Sequence, residues 1–300
     1  MIVEKPVNTE FTNKRVSIVI AALNPAELLS AQFRSFLNQK YKDIEIILNL
    51  DPRTNDNTLN IVADWKDRLD IKIIYNNSRL GEGRLEGAKA AEGKYLMHLD
   101  NDMTITEDLI SECINLLNLG NDAININEEV IGAGFWTRCK WLEKRCYFGD
   151  WDFSSPRFFR KSTYFEVGGH NPLLSLSEDK DLDLRFKKNS KKITFSRNIL
   201  FHNERTLSIY KTFKNKYFWS QTGFEYLAAQ KVAAWKQVLF IFFRRAYLRN
   251  WKLFLTYPHL GFGMFMLKFA ELLGVICGGI GTKLNIVRKR EYKSYSSGSK

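Results

Sequence analysis

Apolar residues in the first third of the chain come as short continuous runs rather than in alternation. Val16-Ser17-Ile18-Val19-Ile20-Ala21-Ala22, residues 44–50, 71–75 and 94–99 are rich in β-branched and large aliphatic side chains. That is the pattern of strands buried on both faces, as in a parallel sheet. Between the runs the apolar spacing becomes helical: Leu28, Leu29, Phe33, Phe36 and Leu37 within 25–39, then Leu59, Ile61, Val62 and Trp65. A further helix, rich in alanine, is expected to follow Gly81-Glu82-Gly83-Arg84 and to end at Glu92. Strands alternating with helices predict a doubly wound, mostly parallel α/β sheet with right-handed crossovers, in which ligands sit beyond the carboxyl ends of the strands. Asn24, Asp51, Arg84, Asp100 and Asp102 all fall at or near such ends.

The fourth run stops at Leu99-Asp100-Asn101-Asp102. In an extended strand, side chains at i and i+2 point to one face, so the two carboxylates are expected to converge. Paired carboxylates suit hard divalent cations whose shell a substrate phosphate completes. Taken alone, the triplet reads better as a solvated turn, since Asp and Asn favour turns and N-caps and Thr106-Glu107-Asp108 opens a helix expected over 106–119. Its company on one rim with Asp51 and Arg84 reverses that preference.

Residues 122–165 are aromatic without clear periodicity and are expected to be irregular, their rings mostly packed in walls, with a few facing a sugar. A turn cluster, Gly168-Gly169-His170-Asn171-Pro172, leads to a helix with Leu182 and Phe186 at i, i+4 and Ser177 as its expected N-cap. Glu178 and Asp179 occupy its first turn, where the helix dipole favours ionised carboxylates. That is a sufficient structural explanation, and a general base kept ionised there is the functional alternative. A strand over 193–201 is expected to end at His202, a position first read as structural.

Composition narrows the class. With 300 residues, 45% of them hydrophobic, the chain can bury a sizeable core. Cys113, Cys139, Cys146 and Cys277 have neither CxxC nor zinc-ligand spacing, so free thiols in a reducing compartment are expected. The first 14 residues are polar, so no secretory leader is expected. Charge is asymmetric: residues 1–130 carry 14 Lys/Arg against 21 Asp/Glu, net −7, whereas 131–300 carry 31 against 12, net +19. An anionic partner for the second part follows, either nucleic acid or a membrane leaflet.

Residues 16–205 resemble the inverting, GT-A-fold glycosyltransferases of family 2, with five motifs in order. The family's first strand, VSIVIPTYNE, is matched by Val16 to Asn24, and its IEIIVVDDGSTDNT by Ile44 to Thr58 with one extra loop residue. Segment 77–102 is similar to N-x-G-x-x-x-A-R…A-x-G-E-Y-I-x-F-L-D-x-D. Phe158-Phe159-Arg160…Gly168-Gly169 resembles "frr…GGF", and Glu178-Asp179-x-Asp181-Leu182-x-x-Arg185 resembles E-D-x-D-L-x-x-R. The resemblance implies a Rossmann-like GT-A domain that takes a nucleotide-sugar donor, a lipid-linked or glycan acceptor, and Mn2+ or Mg2+. Asp51 would contact the nucleobase, with Ala21, Leu23 and Asn24 adjoining it, and Arg84 would lie near the nucleotide or its phosphates. Asp100 and Asp102 would form the D-x-D motif, Asp102 as direct metal ligand and Asp100 as a second ligand or a sugar or ribose contact. His202 would complete the metal shell and Asp179 would be the general base. Trp151, Glu178 and Arg185 are candidate acceptor contacts. The family's Pro-Thr-Tyr is here Ala21-Ala22-Leu23, and Leu50 and Pro52-Arg53 replace an Asp and a Gly-Ser. Those departures leave UDP-, GDP- and dTDP-sugars and lipid-phosphate donors open.

After His202 aromatic residues interleave with lysines, from Phe213 and Lys214 to Trp235 and Lys236, and Val238 to Phe243 is wholly apolar. Leu260 to Ile280 approaches the length needed to cross a bilayer, but Lys268 and Glu271 are costly near its centre. Amphipathic helices lying in the interface are expected, reinforced by Val287-Arg288-Lys289-Arg290. The alternatives are a soluble helical subdomain or an oligomer contact. A nucleic-acid groove needs less apolar surface, so no nucleic-acid partner is expected. A GT-A-like binding module without catalysis is disfavoured by the acids at 100, 102 and 179. The expected division is an N-terminal arm (1–14), a GT-A domain (15–205), C-terminal amphipathic and hydrophobic helices (206–285) and a basic flexible tail (286–300). The expected location is the cytoplasmic face of the cell membrane.

Overall fold

The computed structural model describes residues 14–76, 79–174, 177–229 and 244–283. The expected elements form in the first part: β1 (Val16–Ala22), α1 (Ala26–Leu37), β2 (Ile44–Leu50), α2 (Thr58–Trp65), β3 (Asp70–Tyr75), α3 (Leu80–Ala90) and β4 (Tyr95–Leu99). These strands pair in parallel in the order β3-β2-β1-β4, with Val16 opposite both Ile44 and Tyr95. Side chains alternating across β1 feed two cores. Val16, Ile18 and Ile20 pack with Leu29 and Phe33 of α1, while Val19 packs on the other face with Ala88 of α3. Because both faces are covered, the strand sequence is continuously apolar.

Beyond Asp102 the structure departs from the sequence reading. A short β5 (Met103–Ile105) precedes α4, which starts at Leu109 and ends at Asn118. The stretch expected to be irregular holds β6 (Ala123–Ala133), α5 (Phe135–Cys146), β7 (Pro156–Arg160) and α6 (Lys161–Glu166). Asn125, Asn127, Glu128 and Glu129 interrupt the apolar run of β6, which hides a strand paired on both edges, to β7 and to a later strand over Ile193–Thr206. In α7 (Glu178–Lys188) Ser177 is not a side-chain cap: its φ of 63° is left-handed, and its hydroxyl makes no cap hydrogen bond. β8 (Ile193–Thr206) runs on past His202, which lies opposite Met103 of β5 and Val130 of β6. The eight strands form one sheet in the order β3-β2-β1-β4-β7-β6-β8-β5.

The glycines expected ahead of α3 lie within its first turn. A Cβ on Gly81 would stand 2.3 Å from the Asn171 carbonyl oxygen, so only glycine lets the helix start pack on the loop 171–174. The Gly81 N–H donates to the Leu174 carbonyl at 2.9 Å, fixing that contact.

The C-terminal part is helical: α8 (Ile209–Ala229), α9 (Arg245–Arg249), α10 (Trp251–Thr256) and α11 (Pro258–Lys283). A third core joins Cys139, Leu142 and Cys146 of α5 to Tyr247, Leu260, Met264 and Leu267. Lys268 is buried and paired with Glu143 of α5 and with Glu271 at 2.7 Å, while Lys140 reaches Glu143 at 2.9 Å and Glu271 at 3.2 Å. Lys268 and Glu271 of α11 therefore face protein. Its outer face carries Phe262, Met266, Phe269, Leu273 and Ile276, all exposed and spaced by three and four. Pro258–Gly279 is long and apolar enough to cross a membrane, yet 44% of its most apolar window is buried within the molecule. The apolar run 238–243, the basic run 287–290 and most of the N-terminal arm lie outside the described residues.

Candidate active site

Arg84 is the hub of the rim. It projects from α3, is 2% exposed, and meets three carboxyl groups: Asp100 at 2.5 Å, Glu178 at 3.0 Å, and Asp179. A second guanidinium faces it from β7. Arg157 donates to Glu128 from Nη2 at 2.8 Å and from Nε at 3.1 Å, and lies 3.4 Å from Asp100 and 4.0 Å from Asp179. Asp100 and Asp179 are thus bracketed between two arginines, with the His170 ring 3.3 Å from Asp179 on a further side.

The two neighbouring carboxyls titrate in opposite directions. Burial alone would raise Asp179, but Arg84, the hydrogen bond from His170 and Arg157 together hold it well below the usual carboxylate range. Glu178 is more deeply buried, and burial and the charge of Asp179 push it up to about 8 in spite of Arg84. At neutral pH Glu178 therefore accepts the Arg84 N–H as a neutral acid, and Asp179 carries the charge.

The extended geometry ends at Leu99, so the i, i+2 argument does not reach Asp102. Asp100 turns to the arginines. Asp102 turns to β8, where its Oδ1 lies 3.3 Å from His202 Nε2, and His202 Nδ1 faces Glu128 at 3.6 Å. Burial would lower His202, but Asp102 and Glu128 raise it well above its ordinary value. Beyond these ion-pair contacts, Asp102 Oδ1 and His202 Nδ1 are buried and meet no partner in full hydrogen-bond geometry among the described residues. The Asp102 carboxylate, together with the His202 ring once a cation displaces its proton, would suit a divalent cation that takes its remaining ligands from substrate oxygens. Among the described residues no group of three or more His, Cys, Asp or Glu side chains is placed to hold a metal, so the protein's share would be these two.

Asp51 is buried at the end of β2, and both its oxygens are taken by Arg53, from Nε at 2.9 Å and Nη2 at 2.5 Å. Burial would raise its carboxyl, but Arg53 lowers it. Asn24, at φ 51°, accepts the Asn55 N–H at 2.9 Å, tying together the loops after β1 and β2, while Ala21 and Leu23 are half-buried beside them. Arg185 is committed elsewhere, to Asp181 at 2.7 Å and to the Val167 carbonyl at 2.7 Å. Trp151 is exposed and packs edge-on against Phe195. Arg157, Glu128 and His170 are site residues that the sequence reading did not select. An arginine at the second position of the strand Pro156–Arg160, ahead of Phe158 and Phe159, was the available signal for the first.

The Glycosyl transferase family 2 profile matches residues 17–173, just over half of the chain. The chain belongs to glycosyl transferase family 2. Among its relatives is the UDP-Glc:alpha-D-GlcNAc-diphosphoundecaprenol beta-1,3-glucosyltransferase of Escherichia coli, 40% identical over 88 residues, which is 29% of this chain and 35% of that protein. Another is the GalNAc(5)-diNAcBac-PP-undecaprenol beta-1,3-glucosyltransferase of Campylobacter jejuni, 26% identical over 67% of this chain and 63% of that one. The chain thus spans 35% and 63% of the lengths of these two relatives. Residues 1–349 of Staphylococcus aureus TarS, solved with UDP-GlcNAc, superpose with a TM-score of 0.54 at 14% identity, covering 90% of this chain and 92% of that one. The chain has the mixed α/β GT-A fold, and carries a helical C-terminal extension of its own sheet domain.

Proposed function

We propose that this family 2 chain transfers a sugar, with inversion, from a nucleotide-sugar donor to a hydroxyl of a lipid-linked or glycan acceptor at a membrane surface. The observation that carries the reading is Asp179, an ionised carboxylate on the same rim as Asp100 and the Asp102–His202 pair, joined to Asp100 through Arg84. Asp179 takes the proton of the acceptor hydroxyl, the oxygen bonds to the anomeric carbon, and the bond to the diphosphate oxygen breaks. Attack opposite the leaving group inverts that carbon. Donor phosphates competing for Arg84 draw it away from Asp179 and so restore the basicity that the ion pair suppresses. Asp51, Asn24, Ala21 and Leu23 adjoin the nucleoside. When bound at Asp102 and His202, Mn2+ or Mg2+ supplies neutralisation of the charge building on the diphosphate.

A UDP-linked hexose is the first donor to test, since one relative is named for UDP-glucose and TarS was solved with UDP-GlcNAc. Both relatives are named for undecaprenol-diphosphate acceptors, which supports a lipid-linked acceptor. The exposed apolar face of α11 and the basic C-terminal composition support docking to the cytoplasmic leaflet. On this reading the chain divides into a transferase domain (15–205), a membrane-interacting part (206–285) and a basic C-terminal part (286–300). The test is incubation with UDP-hexoses, Mn2+ and undecaprenyl-diphosphate-linked sugar in vesicles, with products read by mass spectrometry. Acceptor-dependent gain of one hexose is expected. Neither transfer nor donor binding across a panel of nucleotide sugars would overturn the reading.

A further inference from the structure

We propose that His170 is a positioning residue for the base: with Tyr164 it holds Asp179 by one oxygen and leaves the other to face the acceptor hydroxyl. The inference deepens the reading of Asp179 as base and rests on it. His170 follows two left-handed glycines, Gly168 at φ 92° and Gly169 at φ 62°, that fold the chain back onto α6. A Cβ on Gly169 would stand 2.8 Å from Leu85 and 3.0 Å from the Tyr164 ring, so the tight turn is built around that ring. The His170 backbone N–H donates to the Tyr164 hydroxyl at 2.9 Å, and the same hydroxyl lies 3.0 Å from His170 Nδ1.

Those contacts fix the tautomer. The hydroxyl oxygen already accepts the backbone N–H, so its own proton is free to go to Nδ1. Nδ1 then accepts, and the ring proton sits on Nε2, which lies 3.3 Å from Asp179 Oδ1 and donates to it. The opposite tautomer would turn a nitrogen lone pair towards a carboxylate. Both partners are buried, His170 at 1% and Tyr164 at 0% exposure, so no solvent competes for the arrangement. His98 closes the back of the cluster, its ring 4.8 Å from that of His170, and burial keeps both rings neutral. Arg84 and His170 both address Oδ1, whereas among the described residues Oδ2 accepts no hydrogen bond and faces Arg157 at 4.0 Å. The lone pairs of Oδ2 are therefore available to a hydroxyl, and the ring N–H stops the carboxylate from rotating away.

Two readouts test this. The first needs no turnover: the ring 15N–1H spectrum of the full chain, with the His170 signals assigned by their loss in His170→Phe. A neutral Nε2–H ring at neutral pH that shifts in Asp179→Asn is expected. An Nδ1–H tautomer or an imidazolium would overturn the proposal. The second is kinetic. His170→Phe keeps the ring and loses the donor, so kcat is expected to fall about tenfold at unchanged donor KM, the worth of one hydrogen bond to a charged group. The acid limb of kcat/KM should move to higher pH, because a donor to the ionised carboxylate is lost while Arg84, Arg157, Glu178, Asp100, His98 and Arg185 remain. His170→Gln, which restores an N–H, should recover part of the rate, and it carries the kinetic test if His170→Phe folds poorly. Wild-type kcat and pH profile in His170→Phe would overturn the proposal. If instead the wild type transfers nothing, or Asp179→Asn transfers normally, the reading of the base fails, and the ring spectrum still decides the tautomer.

Discussion

Glu178 and Asp179 are adjacent, share one arginine, and meet opposite fates because one is enclosed and the other is caged by cations. The raised Glu178 has a consequence for stability. Its folded-state value, about 8, lies above its unfolded one, so stability is fully present below the ordinary carboxylate range and is lost as pH rises through about 8. Glu178→Gln imitates the neutral acid, so its melting temperature should exceed the wild type's at pH 9 and match it near pH 4; an equal offset at both would count against a neutral Glu178. Asp102 supports a separate expectation. Asp102→Ala should weaken Mn2+-dependent binding of UDP by tenfold or more in calorimetry, the order seen when a metal site loses a supporting group. Binding that never depended on Mn2+ would remove the cation from the account. Asp51, Arg84, Asp100 and Asp102 can be placed on one rim from the sequence because strand ends in an alternating pattern are where such side chains gather, whereas Asp179 stands out by its place in the first turn of a helix and by the E-D-x-D-L-x-x-R resemblance. His170 was not: it reads as one more polar residue in a glycine turn, and only the folded turn brings its ring to Asp179.

The elements β1 to β4 could be read because strands buried on both faces keep their apolar runs unbroken. β6 could not, since polar residues at Asn125, Asn127, Glu128 and Glu129 interrupt its run, and Glu128 serves Arg157 and His202 rather than the core. β5 spans only Met103–Ile105, too short for periodicity, and α5 was masked by its aromatic residues, which pack outward onto the C-terminal helices. The start of α3 gives an element-scale test. Gly81→Ala forces a methyl onto the Asn171 and Leu174 carbonyls and should destabilise by about 1–3 kcal/mol in urea unfolding, the usual cost of overpacking. An unchanged midpoint would show that the contact between α3 and the loop 171–174 yields freely.

At the scale of the whole molecule, a catalytic sheet is joined to a helical extension through α5, whose Lys140 and Glu143 neutralise Lys268 and Glu271 of α11. That pairing turns Lys268 and Glu271 inward and leaves the apolar stripe outward, an arrangement suited to lying on a bilayer. Phe262→Glu combined with Phe269→Glu should cut binding to anionic vesicles at least tenfold in flotation with little change in melting temperature. A fall in oligomer mass with vesicle binding unchanged would assign the stripe to a second copy instead. Paired turnover and donor-binding measurements on Asp179→Asn decide whether Asp179 is the base. A loss of transfer of at least about a hundredfold with UDP-sugar affinity retained is expected, in keeping with the loss of a general base. Transfer by Asp179→Asn at the wild-type rate would contradict it.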